Sequence, residues 1–248
     1  MERIGTVETK TRVRVFDEGN FRGYTEYLIE SEPGARPAPQ AFLVHQQPGW
    51  VLPVHFHLEE QFQVVTAGGG TLGRHALGAI TVHYSTREAG YGPLTAGPEG
   101  LDYLTLRAVT DPGAWYLPES RPKMRTGLRR RHVTVGPLAM LGPSELAALP
   151  RLEVLEVITP DAEGLAGWLL RLPPGEHCTA PPQMRSGGRF HVVVGGALAE
   201  DTRVLARNAC IWRGSEDAPM ELRSGPDGAE VLVLQYPEAA LEPEPQRT

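Results

Sequence analysis

Two histidines spaced by two residues mark where this chain could do chemistry. His55 and His57 lie in "WVLPVHFHLEEQFQVVTAG", the run from Trp50 to Gly68. Side chains of a β-strand alternate faces, so this spacing turns both imidazoles the same way. Two imidazoles converging on one face are the start of a transition-metal site. Four residues after His57 stands Gln61, and a hairpin closing at Gly68 would return its neutral amide oxygen towards them as a third ligand. His83, in "ITVHYS", could add another imidazole, although a lone histidine in an apolar strand is more often a core residue. Glu59 and Glu60 would replace Gln61 if the turn were one residue off; they read as an exposed turn.

Strands must position these residues. Gly (28) and Pro (23) punctuate short β-branched and aliphatic runs along all 248 residues, the pattern of many strands joined by tight turns. Helix-period runs are scarce; "SELAALP" could be one short helix, with Ser144 as its cap. An internal repeat organises the rest. "TAGPEGLDYLTL" matches "RSGPDGAEVLVL", pairing Gly97 with Gly225 (225 − 97 = 128). "QFQVVTAG" matches "RFHVVVGG", pairing Gly68 with Gly196 (196 − 68 = 128). "FLVHQQPG" matches "LLRLPPG", pairing Gly49 with Gly175 at an offset of 126. Three matches in one order predict a duplicated all-β module with a two-residue insertion in the second copy. Pro112 to Val135 reads as the connector.

The first half resembles the cupin superfamily, whose first motif runs Gly, five residues, His-x-His, three or four residues, Glu, six residues, Gly. Gly49, His55, His57 and Gly68 stand in register, with Gln61 in the Glu place. The resemblance implies tandem double-stranded β-helix (jelly-roll) barrels of the two-barrel, or bicupin, type. Residues 1–119 would form a barrel with the metal site and 120–248 a second, degenerate one. It also implies a divalent transition metal (Fe, Zn, Ni or Mn) on His55, His57, Gln61 and water or His83. The family's second motif supplies a fourth histidine ligand; here Tyr91 or Gly92 takes the expected place, and Tyr91 becomes a substrate-binding candidate.

In the second half the repeat sets Gln183, Arg185 and Arg189 where His55, His57 and Gln61 stand. Guanidinium groups repel a metal, so this barrel is either a structural copy or an anion pocket formed by Arg185 and Arg189. His177 and Cys178 lie outside the motif positions. Two function classes follow: a metal-dependent oxygenase or isomerase of a small organic molecule, or a non-catalytic small-molecule binder or sensor.

The remaining features bound the partners. Net charge is -6, which disfavours nucleic acid, and the Arg-rich run "RTGLRRRHV" reads as a solvated face. No apolar run has transmembrane length and no signal-peptide core begins the chain, so no membrane partner is expected. Cys178 and Cys210 are too few for a disulfide framework and read as free thiols in a reducing cytoplasm. The strand "VLVLQY" lacks polar alternation, which suggests cover on both faces, by a second copy in a homodimer or by the other module. The C-terminal "PEAALEPEPQRT" reads as a disordered tail.

Overall fold

Alternating faces and a few glycines without room for a side chain turn each half of the chain into one strongly bent sheet. The computed structural model describes residues 2–32, 34–183, 185–200 and 202–242. Each half is built on two long antiparallel strands, Gln61–Leu72 with Leu94–Arg107 and Ser186–Glu200 with Glu221–Pro237. Their register repeats: Gly68 faces Leu101, and Gly196 faces Ala229. Both glycines have positive φ, +68° and +59°, and a Cβ on either would lie 2.3 or 2.2 Å from the carbonyl oxygen of Gly100 or Gly228. Only glycine fits such a close approach. The turns repeat as well. Gly49 N–H donates to Gly97 O (3.1 Å) and Gly175 N–H to Gly225 O (3.2 Å), so the two-residue insertion follows Gly175, before Gly196.

The first sheet has nine strands and the second eight. Two segments cross between them. Arg3–Gly5 pairs with Cys210–Arg213 of the second half, and His132–Val135, beyond residue 119, pairs with Thr81–Ser85 of the first. The stretch read as a connector is therefore structured, and its Trp115–Tyr116 strand also pairs with His55–Phe56. The short helix spans Pro143–Ala147 with Gly142, not Ser144, at its N-cap. Pro143 explains the shift: proline has no N–H to lose and is favoured in the first turn.

Strand alternation divides the side chains between two cores. Phe62, Val64, Leu104 and Leu106 point away from the first barrel and join Phe190, Val192, Leu232, Leu234 and Tyr236 in a core shared by the two halves. The opposite face of the second pair supplies Val193, Val231 and Val233, which fill the second barrel with Leu170 and Ile211. "VLVLQY" is thus covered on both faces within one chain, so it gives no ground for a homodimer.

The Arg-rich run is pinned to carboxylates: Arg125 to Glu88 (2.6 Å), Arg129 to Glu163 (2.5 Å) and Arg131 to Asp161 (2.6 Å). Cys178 is half-buried, Cys210 is buried, and both are free thiols. No helix among the described residues is long and apolar enough to cross a membrane. The C-terminal segment keeps its structure further than its composition suggests. Glu238–Leu241 forms a 3-10 turn with Ala240 buried, while residues 243–248 lie outside the described residues.

Candidate functional site

His55 is fixed at both ring nitrogens. Its Nδ1 lies 2.8 Å from Pro53 O, an acceptor only, so Nδ1 carries the proton. Nε2 then accepts from the Tyr91 hydroxyl at 3.0 Å. Tyr91 is held opposite His55 by a pair of backbone hydrogen bonds, His55 N to Tyr91 O (3.1 Å) and Tyr91 N to His55 O (3.0 Å). The His57 ring stands 5.3 Å away, nearly perpendicular at 89°. Its Nδ1–H points at Asp111 Oδ1 (2.9 Å), just before the segment read as a connector, and at Gly113 O (3.1 Å), within it.

The organising residue is one that no motif or spacing in the sequence marks. Arg107, on Leu94–Arg107, is 3% exposed and faces the barrel interior. Its Nε and Nη2 donate to Gln61 Oε1 at 3.1 and 2.9 Å, and its Nη1 donates to Gln40 Oε1 at 2.9 Å. Nη2 also lies 3.1 and 3.5 Å from the two ring nitrogens of His57. Those nitrogens sit on non-adjacent ring positions, so the guanidinium lies over the ring face. A guanidinium only donates, so the Gln61 oxygen must face it and the Gln61 amide N–H must face Tyr91, 2.5 Å away. Tyr91 accepts from Gln61 and gives its own proton to His55. The chain Arg107, Gln61, Tyr91, His55, Pro53 therefore runs donor to acceptor in one direction.

This arrangement does not fit a divalent metal. The Gln61 oxygen and His55 Nε2, two of the three expected ligand atoms, are engaged by Arg107 and Tyr91. A permanent positive charge lies over His57, the third, and repels a cation at ~4 Å by about 4 kcal/mol per unit charge. Among the described residues no group of three or more His, Cys, Asp or Glu has a metal-holding arrangement. His83 sits on the far side of Tyr91. Its ring is 5.1 Å from the Tyr91 ring and stacks on His132 at 5.6 Å, and its Nδ1 bonds Thr134 Oγ1 at 2.8 Å. Glu59 pairs with Arg36 (2.6 Å) and Arg87 (3.1 Å), and Glu60 accepts from the Tyr84 hydroxyl. Neither carboxylate is in an exposed turn, and neither replaces Gln61.

Burial sets the charge states. It lowers His55 to a pKa of about 3. It also lowers His57, with Arg107 adding to the effect. Burial alone would raise Asp111, but Arg107 and His57 outweigh it and hold its carboxyl well below the usual range. At neutral pH the site holds two neutral imidazoles, one carboxylate and one guanidinium. Beside them opens a cavity of about 340 Å³, at the lower end of the size range of ligand pockets. His55, His57, Tyr91, Arg107 and Asp111 line one part of it, aromatic side chains line much of the rest, and Arg14 is exposed at its mouth.

The second barrel separates its two arginines. Arg189 is 1% exposed and donates to Pro181 O (2.5 Å) and Gln235 Oε1 (2.7 Å); burial lowers its pKa to about 10. Arg185 is exposed, in a surface groove with Gln183, Ser186 and Glu238 that Arg189 does not line. They do not form one anion pocket. His177 pairs with Glu221 at the surface (3.5 Å).

No protein-family model matches the chain, and no curated protein matches it by sequence. Solved structures do. A candidate dioxygenase from Nostoc punctiforme matches with a TM-score of 0.63 at 14% identity, covering 99% of this chain and 87% of that one. Vicilin from Corylus avellana matches with a TM-score of 0.59 at 12% identity, covering 94% and 85%. A bacterial pirin from Escherichia coli, in complex with nickel(II), matches with a TM-score of 0.51 at 12% identity, covering 96% and 99%. At these identities the likeness is one of fold: an all-β architecture of double-stranded β-helix barrels, shared with cupin proteins.

Proposed function

We propose that the first barrel is a metal-independent binding module for a small organic molecule, held in the cavity beside Arg107. The observation that supports this reading is the guanidinium itself, placed by Gln61 and Gln40 over His57, where the histidine spacing leads one to expect an ion. The nickel(II) bound to the related pirin makes a metal the first expectation for a barrel of this fold. An oxygenase or isomerase working through such an ion would need Arg107 displaced from its present partners.

A second reading is favoured by one observation. Asp111 and Gly113 O fix the proton of His57 on Nδ1, which leaves the Nε2 lone pair on the other side of the ring. An imidazole held this way would orient a substrate's hydroxyl or N–H as a hydrogen-bond acceptor, burial and Arg107 having lowered its basicity.

The test is a thermal-shift screen, in EDTA, of a library of neutral, acidic and basic small molecules. It compares wild type with the cavity-filling variant Thr105→Trp. Ligands that bind the native state raise the melting temperature, so hits confined to wild type are expected. The same screen is repeated with added nickel or zinc and no EDTA, and hits that appear only there and vanish in a His55→Ala, His57→Ala double variant would overturn the reading.

A further inference from the structure

The lining of the first-barrel cavity is specific enough to name a ligand class. We infer that it binds a flat aromatic carboxylate, with the carboxylate on Arg107 and the ring against the aromatic wall; this rests on the binding reading above.

Arg107 carries five N–H groups. Two point at Gln61 and one at Gln40, and the second N–H of Nη2 faces the His57 ring, with Nη2 3.1 Å from Nδ1 and 3.5 Å from Nε2, which leaves one on Nη1. Asp111 does not take them. Its Oδ1 accepts from His57 Nδ1 (2.9 Å) and Gly113 N (2.8 Å), its Oδ2 from Leu58 N (2.7 Å) and Glu59 N (3.2 Å). It approaches Arg107 no closer than 3.9 Å, beyond hydrogen-bonding distance. The spare N–H on Nη1 is a charge-assisted donor for one carboxylate oxygen, and the guanidinium charge holds the anion beside it.

Charge agrees with this. Arg107 and Arg14 line the cavity against the single carboxylate of Asp111. Arg14 stands over the Phe16 ring at 4.5 Å, where it can attract an anion before entry.

The walls supply the rest of the class. Phe21, Tyr27, Phe42, Tyr103 and Tyr116 surround the space, and such rings favour a flat aromatic partner over a puckered one. Thr25 Oγ1 is buried without a hydrogen-bond partner. Among the described residues the Gln63, Tyr103 and Thr105 side chains also make no hydrogen bond, although all three are at least nine-tenths buried and line the cavity. Buried polar groups left this way are met by a ligand or water.

The experiment is calorimetric titration of the full chain, in EDTA, with phenylacetate, cyclohexylacetate and 2-phenylethanol. Phenylacetate should bind one per chain. The alcohol, which lacks the carboxylate, should bind about 10–100-fold more weakly. Cyclohexylacetate, which lacks the flat ring, should bind about 2–10-fold more weakly. Arg107→Lys keeps the charge but not the planar group that spans Gln61, Gln40 and the ligand, and should weaken phenylacetate about 10-fold. Arg14→Ala, an exposed change that should not disturb folding, should weaken it at low salt and not at high salt. Equal affinity for alcohol and acid would overturn the carboxylate assignment while the binding reading stands. Failure of all three to bind, with hits from the library screen confined to wild type, would overturn this ligand class alone. No hits in either experiment would remove both.

Discussion

Arg107 donates two hydrogen bonds to Gln61 Oε1, at 3.1 and 2.9 Å, across the two central strands of the first barrel. The second barrel holds the same pair with the partners exchanged. Arg189 stands in the Gln61 place (189 − 61 = 128) and Gln235 in the Arg107 place (235 − 107 = 128), and Arg189 donates to Gln235 Oε1 at 2.7 Å. An arginine–glutamine bridge is thus common to both copies, and what differs is its neighbours. By the same offset, Tyr103 and Thr105 of the first barrel become Val231 and Val233, which close the corresponding space with apolar atoms. The bridge braces a barrel; the polar and aromatic residues around Arg107 make one barrel a pocket.

Removing the guanidinium should cost stability. Arg107→Met leaves the Gln61 and Gln40 oxygens without their buried donor and Asp111 without its nearby cation. Loss of one partner from a buried charged network costs about 3–5 kcal/mol. Urea unfolding at neutral pH should register a fall of that size, and a fall under ~1 kcal/mol would mean that the network contributes little.

Tyr91→Phe breaks the hydrogen-bond chain at its middle. Gln61 loses the acceptor of its amide N–H and His55 Nε2 loses its donor, each a buried polar atom. The cost should be about 1–3 kcal/mol. The same variant frees the His55 lone pair, so histidine side-chain NMR should show a moved His55 Nε2 resonance and an unmoved His57 Nδ1.

Metal content gives a direct contrast. Wild-type protein purified without chelators should hold far less than one divalent ion per chain, and EDTA should leave its melting temperature unchanged. Arg107→His removes the repelling charge and frees the Gln61 oxygen, so it should gain nickel or zinc affinity measurable by equilibrium dialysis. One tightly held ion per wild-type chain would refute the electrostatic argument.

Acid should destabilise the fold well before ordinary carboxylates titrate. Burial lowers His55, His83 and His191 to about 3. An unfolded histidine titrates near ~6.5. Between those values the unfolded chain binds more protons, so stability present above pH ~6.5 is lost as pH falls towards ~3, by up to about 1.4 kcal/mol per pH unit for each imidazole. Glu60, pushed up to about 7 by burial, acts in the opposite sense between an ordinary ~4.5 and 7 and offsets one imidazole. Urea unfolding at pH 7.5, 6.0 and 5.0 should show steadily falling stability. His191→Leu should flatten that slope.

The sequence made the repeat legible, because glycines that must lie against a neighbouring carbonyl leave a fixed mark at Gly68 and Gly196. It also made the position of His55 and His57 legible, because a spacing of two on a strand has one geometric meaning. Arg107 was not legible. A single arginine in "YLTLRAV" looks like a strand-end charge, and its partners Gln61 and Gln40 lie 46 and 67 residues away. Asp111 and Gly113 were hidden for a related reason: they stand just before and just inside a Pro- and Arg-rich stretch that reads as connector until it is seen returning to the His57 ring. Gln61 reads in the sequence as a weak ligand, yet its role follows from having both an acceptor and a donor, which a glutamate in that place would lack.

The two crossing strands make the halves interdependent. Arg3 pairs with Trp212, 209 residues later (212 − 3), so the start of the chain finds its partner only after the second barrel has been synthesised. The first barrel likewise waits for residues 132–135 to finish its edge. Contacts of such long sequence separation slow folding, because a large loop must close before they reward it. A cut at residue 119 or 120 would strip each piece of an edge strand, lay open the apolar face that joins them, and invite the pieces to reassemble or aggregate. What looks in the sequence like two consecutive copies is, in folding terms, a single unit clasped at both ends.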